Sequence, residues 1–293
     1  MDRRTFMAGL GGCVLAGASC SRRKPITAGA REFTEQRILA EIVAQQIENR
    51  LGVRVGRRAG FESTQSIHQA LMLHDIDLYV EYSGAEVAVV LKEQPDKNPA
   101  IVLERVRRAL ERTGVVSWLD PLGNENPFAI SIPGPIARQN GLTTLDDAAS
   151  YAPGWVISTT SEFQQRRDGY SALVQTYPLR MRGVPIVQDA GSLYRPIEQN
   201  RADMVAGRLT DSILANKDLV VLKDVRSAFA PCWACITVRN DTLAAYPPLR
   251  AALAQLSGKF TTELMRRLNA EVDVKRRASR DVASEFLRSA GLV

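Results

Sequence analysis

Residues 26–55 read ITAGAREFTEQRILAEIVAQQIENRLGVRV, and this stretch decides the architecture. Ile26–Ala28 reads as a short strand. Thr34 is placed to cap a helix starting at Glu35, and Ile38, Leu39, Ile42, Val43 and Ile47 recur at helical spacing on one face. Gly52 is a C-terminal stop, and Val53-Arg54-Val55 reads as the next strand. Strand, helix, strand within thirty residues predicts an α/β fold with a sheet covered by helices.

The rhythm continues outward. A helix is expected over Ser63 to Leu73, a strand over Ile76–Val80, and helices over Gly84–Leu91 and Ile101 to Arg112. Residues 117–135, with Pro121, Gly123, Pro127, Pro133, Gly134 and Pro135, interrupt it. A second alternating region follows. Thr144 and Asp147 form a capping-box pattern, Trp155–Ser158 reads as a strand, and Glu162 to Tyr177 reads as helix broken at Asp168-Gly169. Pro185–Val187, Met204-Val205 and Leu219–Leu222 are further strands. A second interruption at Phe229-Ala230-Pro231 precedes a strand at Cys232–Val238 and helices at Pro248–Leu256, Thr261–Leu268 and Asp281–Ser289. Two interruptions describe a chain that leaves one lobe, builds another and returns: lobe 1 over 25–128 and 232–293, lobe 2 over 129–231, joined by two crossing segments.

A length of 293 residues suits two such lobes. The net charge of +6 comes from dispersed arginines, so no nucleic-acid footprint is indicated. Residues 1–20 read as an export signal: Arg3-Arg4-Thr5-Phe6 precedes an apolar run, Phe6 to Ala18, too short to span a bilayer. The arginine pair fits the twin-arginine route and also a general secretory signal. Cleavage before Ser19 competes with lipidation at Cys20, and Cys20 is the preferred reading, although Gly17 departs from the usual lipobox. Localisation is then periplasmic or membrane-anchored on the extracytoplasmic face. Cys232 and Cys235 are three strand residues apart, about 10 Å between Cα atoms and beyond disulfide reach, so both are expected buried and reduced. No metal-ligand spacing, cofactor motif or catalytic signature stands out, which points to binding rather than catalysis.

Gly29-x-Arg31, Phe33-Thr34-Glu35-Gln36-x-Ile38-Leu39, Asp77-x-Tyr79-x-Glu81-Tyr82-Ser83-Gly84 and Trp118-Leu119-x-Pro121-x-Gly123 occur in that order. Glu162-Phe163-x-x-Arg166-x-Asp168-Gly169-Tyr170, Thr210-Asp211 and Asp218-Leu219-x-Val221-Leu222 follow. Across about residues 26–292 the chain resembles the glycine betaine/choline/carnitine-binding proteins of osmoprotectant ABC importers. The resemblance implies a two-lobed type II periplasmic binding protein fold that closes on a small quaternary ammonium or related zwitterion. It also implies delivery to an ABC permease in the inner membrane, a monomer, no cofactor and no enzyme activity. Family members cage the cation with tyrosines, because a quaternary ammonium has no N–H to donate and is held by ring faces. By the resemblance Tyr82 and Tyr194 match cage positions, and Phe128 stands where Tyr is common. Arg31, Gln36, Thr64 and Arg166 match polar positions that line the pocket or hold the carboxylate. Arg208 and Cys232 replace cage tyrosines, and Trp233 is the aromatic group that could compensate. Tyr79, Trp118 and Trp155 read as packing residues. The depleted cage leaves open a different small zwitterion or anion, or a non-transport sensor.

Overall fold

In the computed structural model the described residues are 25–151 and 154–293, so the segment expected to be an export signal, with Cys20, lies outside them. Ten strands form two five-stranded sheets. The first contains β1 (Ile26–Arg31), β2 (Val55–Phe61), β3 (Leu78–Tyr82), β4 (Val116–Glu125) and, from the far end of the chain, β10 (Trp233–Arg239), in the order β2-β1-β3-β10-β4. The second contains β5 (Phe128–Pro133), β6 (Ile157–Thr160), β7 (Ile186–Gln188), β8 (Met204–Arg208) and β9 (Leu219–Val221), in the order β7-β6-β8-β5-β9. Each sheet has three adjacent parallel strands joined through helices, then one strand antiparallel to both its neighbours, then an edge strand in the original direction. The antiparallel strand next to the parallel set is in each case the one that enters from the other sheet: β10 in the first, β5 in the second.

The helix after β1 runs Thr34–Leu51, with Ile38, Leu39, Ile42, Val43 and Ile47 all buried, as their spacing predicts. Its cap differs. Phe33 holds the cap position without a side-chain bond, and Thr34 is already helical. The Thr34 hydroxyl instead donates to Asp273 Oδ1 at 2.5 Å, a partner 239 residues away that no local pattern reveals. Gly52 does close the helix, in the left-handed conformation at φ 66°. Strand β2 starts only at Val55 and runs on to Phe61. It is an edge strand exposed at every position from Gly56 to Gly60, Arg57 and Arg58 included, so no buried-exposed alternation marks it as a strand.

The largest departure from expectation is at 117–135. The region read as an interruption is two strands, β4 and β5, separated only by Asn126-Pro127. Pro121 is tolerated because β4 lies at the sheet edge and its register against β10 is irregular on either side of Cys235. The Thr144–Asp147 capping box forms as expected: Asp147 N–H donates to Thr144 Oγ1 at 3.0 Å, and Thr144 N–H to Asp147 Oδ2 at 2.8 Å. The helix broken at Asp168-Gly169 is likewise present as two pieces, Ser161–Gln165 and Tyr170–Thr176.

Each sheet carries its own core. Ile38, Leu39, Ile42 and Phe260 pack on one face of the first sheet, and Tyr79, Trp118 and Cys235 on its other face. Phe128, Trp155, Phe163 and Tyr177 pack together on the second sheet. Tyr79, Trp118 and Trp155 are therefore packing residues, as expected, and Cys232 and Cys235 are buried free thiols. Burial raises the Cys232 thiol to about 11, so it stays protonated at neutral pH.

The chain passes between the sheets twice, at Asn126-Pro127 and over residues 222–232. The passages touch where Asn126 N–H donates to Cys232 O at 2.9 Å, and the first is also tied to the end of β8, Leu209 N–H donating to Pro127 O at 3.1 Å. The carboxyl ends of the parallel strands in both sheets carry the polar residues described next, where open α/β sheets place ligands.

Candidate functional site

Arg31 ends β1, Arg208 ends β8, and Arg166 closes the short helix after β6, Ser161–Gln165. All three guanidinium groups converge on Glu162. Arg208 Nη2 and Arg166 Nη1 each lie 3.0 Å from Glu162 Oε1, and Arg31 Nη2 lies 3.6 Å from Oε2. The contact brings a side chain of the first sheet onto a residue of the second. Thr160 sets up the geometry by capping that helix, its hydroxyl accepting from Phe163 N–H at 3.2 Å. Glycine is required at 169, where a Cβ would lie 2.1 Å from the carbonyl oxygen of Phe163. This close approach folds Asp168 back onto Arg166 in a two-pronged pair, Nε–Oδ1 2.8 Å and Nη2–Oδ2 2.6 Å.

Burial works against ionising Glu162, but Arg208, Arg31 and Arg166 together outweigh it and hold the carboxyl well below its ordinary range. Arg31 and Arg166 are buried; Arg208 and Glu162 are partly exposed. Arg31 Nη1 also donates to Thr64 Oγ1 at 3.3 Å, while its Nε has no partner in the structure. The ring of Phe128 carries Arg208 at 3.9 Å and Arg166 at 5.0 Å from its centroid, and packs edge-on against Phe163 at 4.9 Å.

Arg31, Thr64, Phe128, Arg166 and Arg208 are thus gathered around one carboxylate. Gln36 lies beside them, its Oε1 accepting from Arg31 N–H at 3.5 Å and its Nε2 donating to Val80 O at 2.8 Å. Tyr82 and Tyr194 are engaged elsewhere. Tyr82 OH donates to Glu35 Oε1 at 2.7 Å and its ring stacks on Phe33 at 6.4 Å. Tyr194 OH donates to Asp211 Oδ2 at 2.7 Å, and the same oxygen accepts from Arg208 N–H at 2.8 Å. Trp233 packs with Tyr79 and Cys235, and its buried Nε1 has no partner. Cys232 is wedged against Gly84, where a Cβ would come within 2.7 Å of its sulfur.

Glu162, Asp168, Glu35 and Asp211 were quoted in sequence motifs without being given a part in the site. For Glu162 a signal existed: it stands four residues before Arg166 on a helix, the spacing of an ion pair. For Glu35 and Asp211 the partners are distant in the chain. Among the described residues no group of His, Cys, Asp and Glu is arranged to hold a metal ion, and no helix is long and apolar enough to cross a membrane.

The chain is similar to the carnitine transport binding protein OpuCC of Listeria monocytogenes, 28% identical over 281 residues, covering 95% of this chain and 91% of that one. It is equally similar, at 28% identity over 284 residues, to the glycine-betaine-binding protein of Pseudomonas aeruginosa, covering 94% and 90% of the two chains. A crystal structure of a glycine betaine/carnitine/choline ABC transporter protein superposes with a TM-score of 0.82 at 26% identity, over 91% of this chain and 99% of that one. The fold is that of the type II periplasmic binding proteins. Residues 24–289 match the family described as the substrate binding domain of ABC-type glycine betaine transport systems, and the chain belongs to that family.

Proposed function

We propose that the chain captures a small carboxylate-bearing solute, of the glycine betaine and carnitine class, between its two sheets and delivers it to an ABC permease in the inner membrane. The observation that carries this reading is the convergence of Arg31, Arg166 and Arg208 from both sheets on one carboxylate. A site that holds Glu162 this way offers the same donors to a solute carboxylate. Gln36, Thr64 and Phe128 complete the lining, and Tyr82, Tyr194 and Trp233 would add ring faces for the solute's cation only by leaving the partners that hold them in this structure. The lobes divide at the crossing segments, 25–128 with 232–293 on one side and 129–231 on the other, and closing one against the other encloses the solute. The role is capture rather than catalysis, by a monomer without a cofactor, exported through its first twenty residues and anchored by acylated Cys20. Mass spectrometry of membrane-extracted protein should show the lipid on Cys20; a mature chain starting at Ser19 overturns the anchor.

A second reading, a small anion without a quaternary ammonium, is favoured by Arg208, which stands 3.9 Å over the Phe128 ring where a cation would sit. Calorimetry of the mature protein against glycine betaine, carnitine, choline, amino acids and simple anions separates the two. Saturable heat with glycine betaine or carnitine, lost in Arg166→Ala, supports the first. Binding of simple anions alone supports the second, and no binding across the panel by folded protein overturns both.

A further inference from the structure

The ion pair at the centre of the site has the chemistry of the solute itself. Arg208 lays a guanidinium 3.9 Å over the Phe128 ring, as a bound quaternary ammonium would lie. Glu162 lays a carboxylate among Arg31, Arg166 and Arg208, as a bound solute carboxylate would lie. The two are tied to each other at 3.0 Å. We propose that Arg208 and Glu162 form a tethered stand-in for a zwitterionic solute, and that they set specificity because a solute must displace each charge it replaces.

Three features support this reading, which rests on the proposed solute site. Arg166 already has its own counter-ion in Asp168, bonded through two nitrogens, so Glu162 is not needed to neutralise it. At ion-pair distance, among the described residues, the three guanidinium groups share two carboxylates, Glu162 and Asp168, with Glu81 and Asp211 acting on Arg31 and Arg208 from farther off, so an incoming solute carboxylate finds a site rich in positive donors. Arg31 is buried with Nε unpartnered, a donor still free for an incoming acceptor. Arg208 and Glu162 are meanwhile the partly exposed members of the cluster, with side-chain exposures of 22% and 37%, so they can swing outward while Arg31 and Arg166 stay fixed.

The consequence is a crossed pattern of affinities. Glu162→Gln keeps the shape but removes the competing carboxylate, so glycine betaine should tighten relative to choline by about tenfold. Arg208→Met removes the competing cation and leaves Glu162 with one partner fewer, so choline should tighten relative to glycine betaine by about tenfold. Calorimetry of both solutes on the wild type and both variants, each checked for folding by circular dichroism, reads the two ratios. Opposite shifts support the proposal. Ratios unchanged within about twofold, or moved the same way by both variants, overturn it while leaving the solute-binding reading intact. Absence of binding by all three proteins overturns the solute site and the stand-in together.

Discussion

Glu162 and Glu35 are the same side chain at two places where the sheets meet, and folding moves their carboxyls in opposite directions. Glu162 faces three arginines and is held ionised. Glu35 is buried, and its partners are neutral: Tyr82 OH at 2.7 Å, Asn269 Nδ2 at 3.1 Å and Asn124 Nδ2 at 3.3 Å. Burial pushes the Glu35 carboxyl up, and the nearby charge of Asp211 pushes the same way against the bonds from Thr210, Tyr82 and Asn269. The difference teaches what each place does. The arginine cluster is partly exposed and able to exchange partners. The Glu35 cluster joins the Thr34–Leu51 and Thr262–Asp273 helices, β3 and β4 through hydrogen bonds that converge on the Glu35 carboxyl, next to the chain crossings. It also ties up Tyr82, the residue expected in the cage.

The contrast can be broken most directly at Glu35. Glu35→Ala takes the acceptor from Tyr82 OH and Asn124 Nδ2, leaves Asn269 Nδ2 with Thr210 O alone, and should cost about 3 kcal/mol in urea unfolding. A loss below about 1 kcal/mol would show that the cluster is not a structural joint.

A pH experiment sharpens it. Glu81, buried on the first sheet, is raised from 4.5 to about 7, burial being the main cause, with Arg31 opposing and Glu86 adding to the shift. A carboxyl raised by folding binds its proton more tightly in the folded state. Its stabilising contribution is complete below the unfolded value and is lost as pH rises through the folded value. Stability should therefore fall by about 2–3 kcal/mol between about pH 4.5 and 7, with Glu35 acting in the same direction, and Glu81→Gln should flatten most of that slope. Glu162 has the opposite sign: its contribution is present above its unfolded value and is lost only in acid, as pH falls through the lowered folded value. A profile that stays flat in the wild type between these limits would contradict the assignment of Glu81.

Arg208→Tyr tests the arginine side by putting a ring where the resemblance expects one. Affinity for a quaternary ammonium should rise about tenfold, or about 1.4 kcal/mol, in calorimetry. Adding Cys232→Tyr should give no further gain, because Cys232 is buried with its sulfur packed against Gly84, which leaves no room for a larger side chain. Unchanged affinity in the single variant would mean that position 208 does not line the solute site. The smallest effect is a scale bar outside both networks: Thr144→Ala, at the capping box, should lower stability by about 1 kcal/mol and leave solute affinity untouched.

The sequence by itself determined the α/β rhythm, the broken helix at Asp168-Gly169, the capping box and the family, because these rest on spacing within a few residues or on short motifs in order. Arg31, Thr64, Phe128, Arg166 and Arg208 were legible as one site only through the resemblance, and the structure does bring them together. Tertiary structure alone decided the rest. Pro121 and Pro133 disguised two strands as an interruption, since only sheet position tells whether a missing N–H matters. Thr34 was drawn from its cap to Asp273, and Tyr82 and Tyr194 to Glu35 and Asp211, by partners 239, 47 and 17 residues distant in the chain. The charge state of a carboxyl depends on which donors surround it in space, so sequence spacing could name Glu35 and Glu162 but not tell them apart.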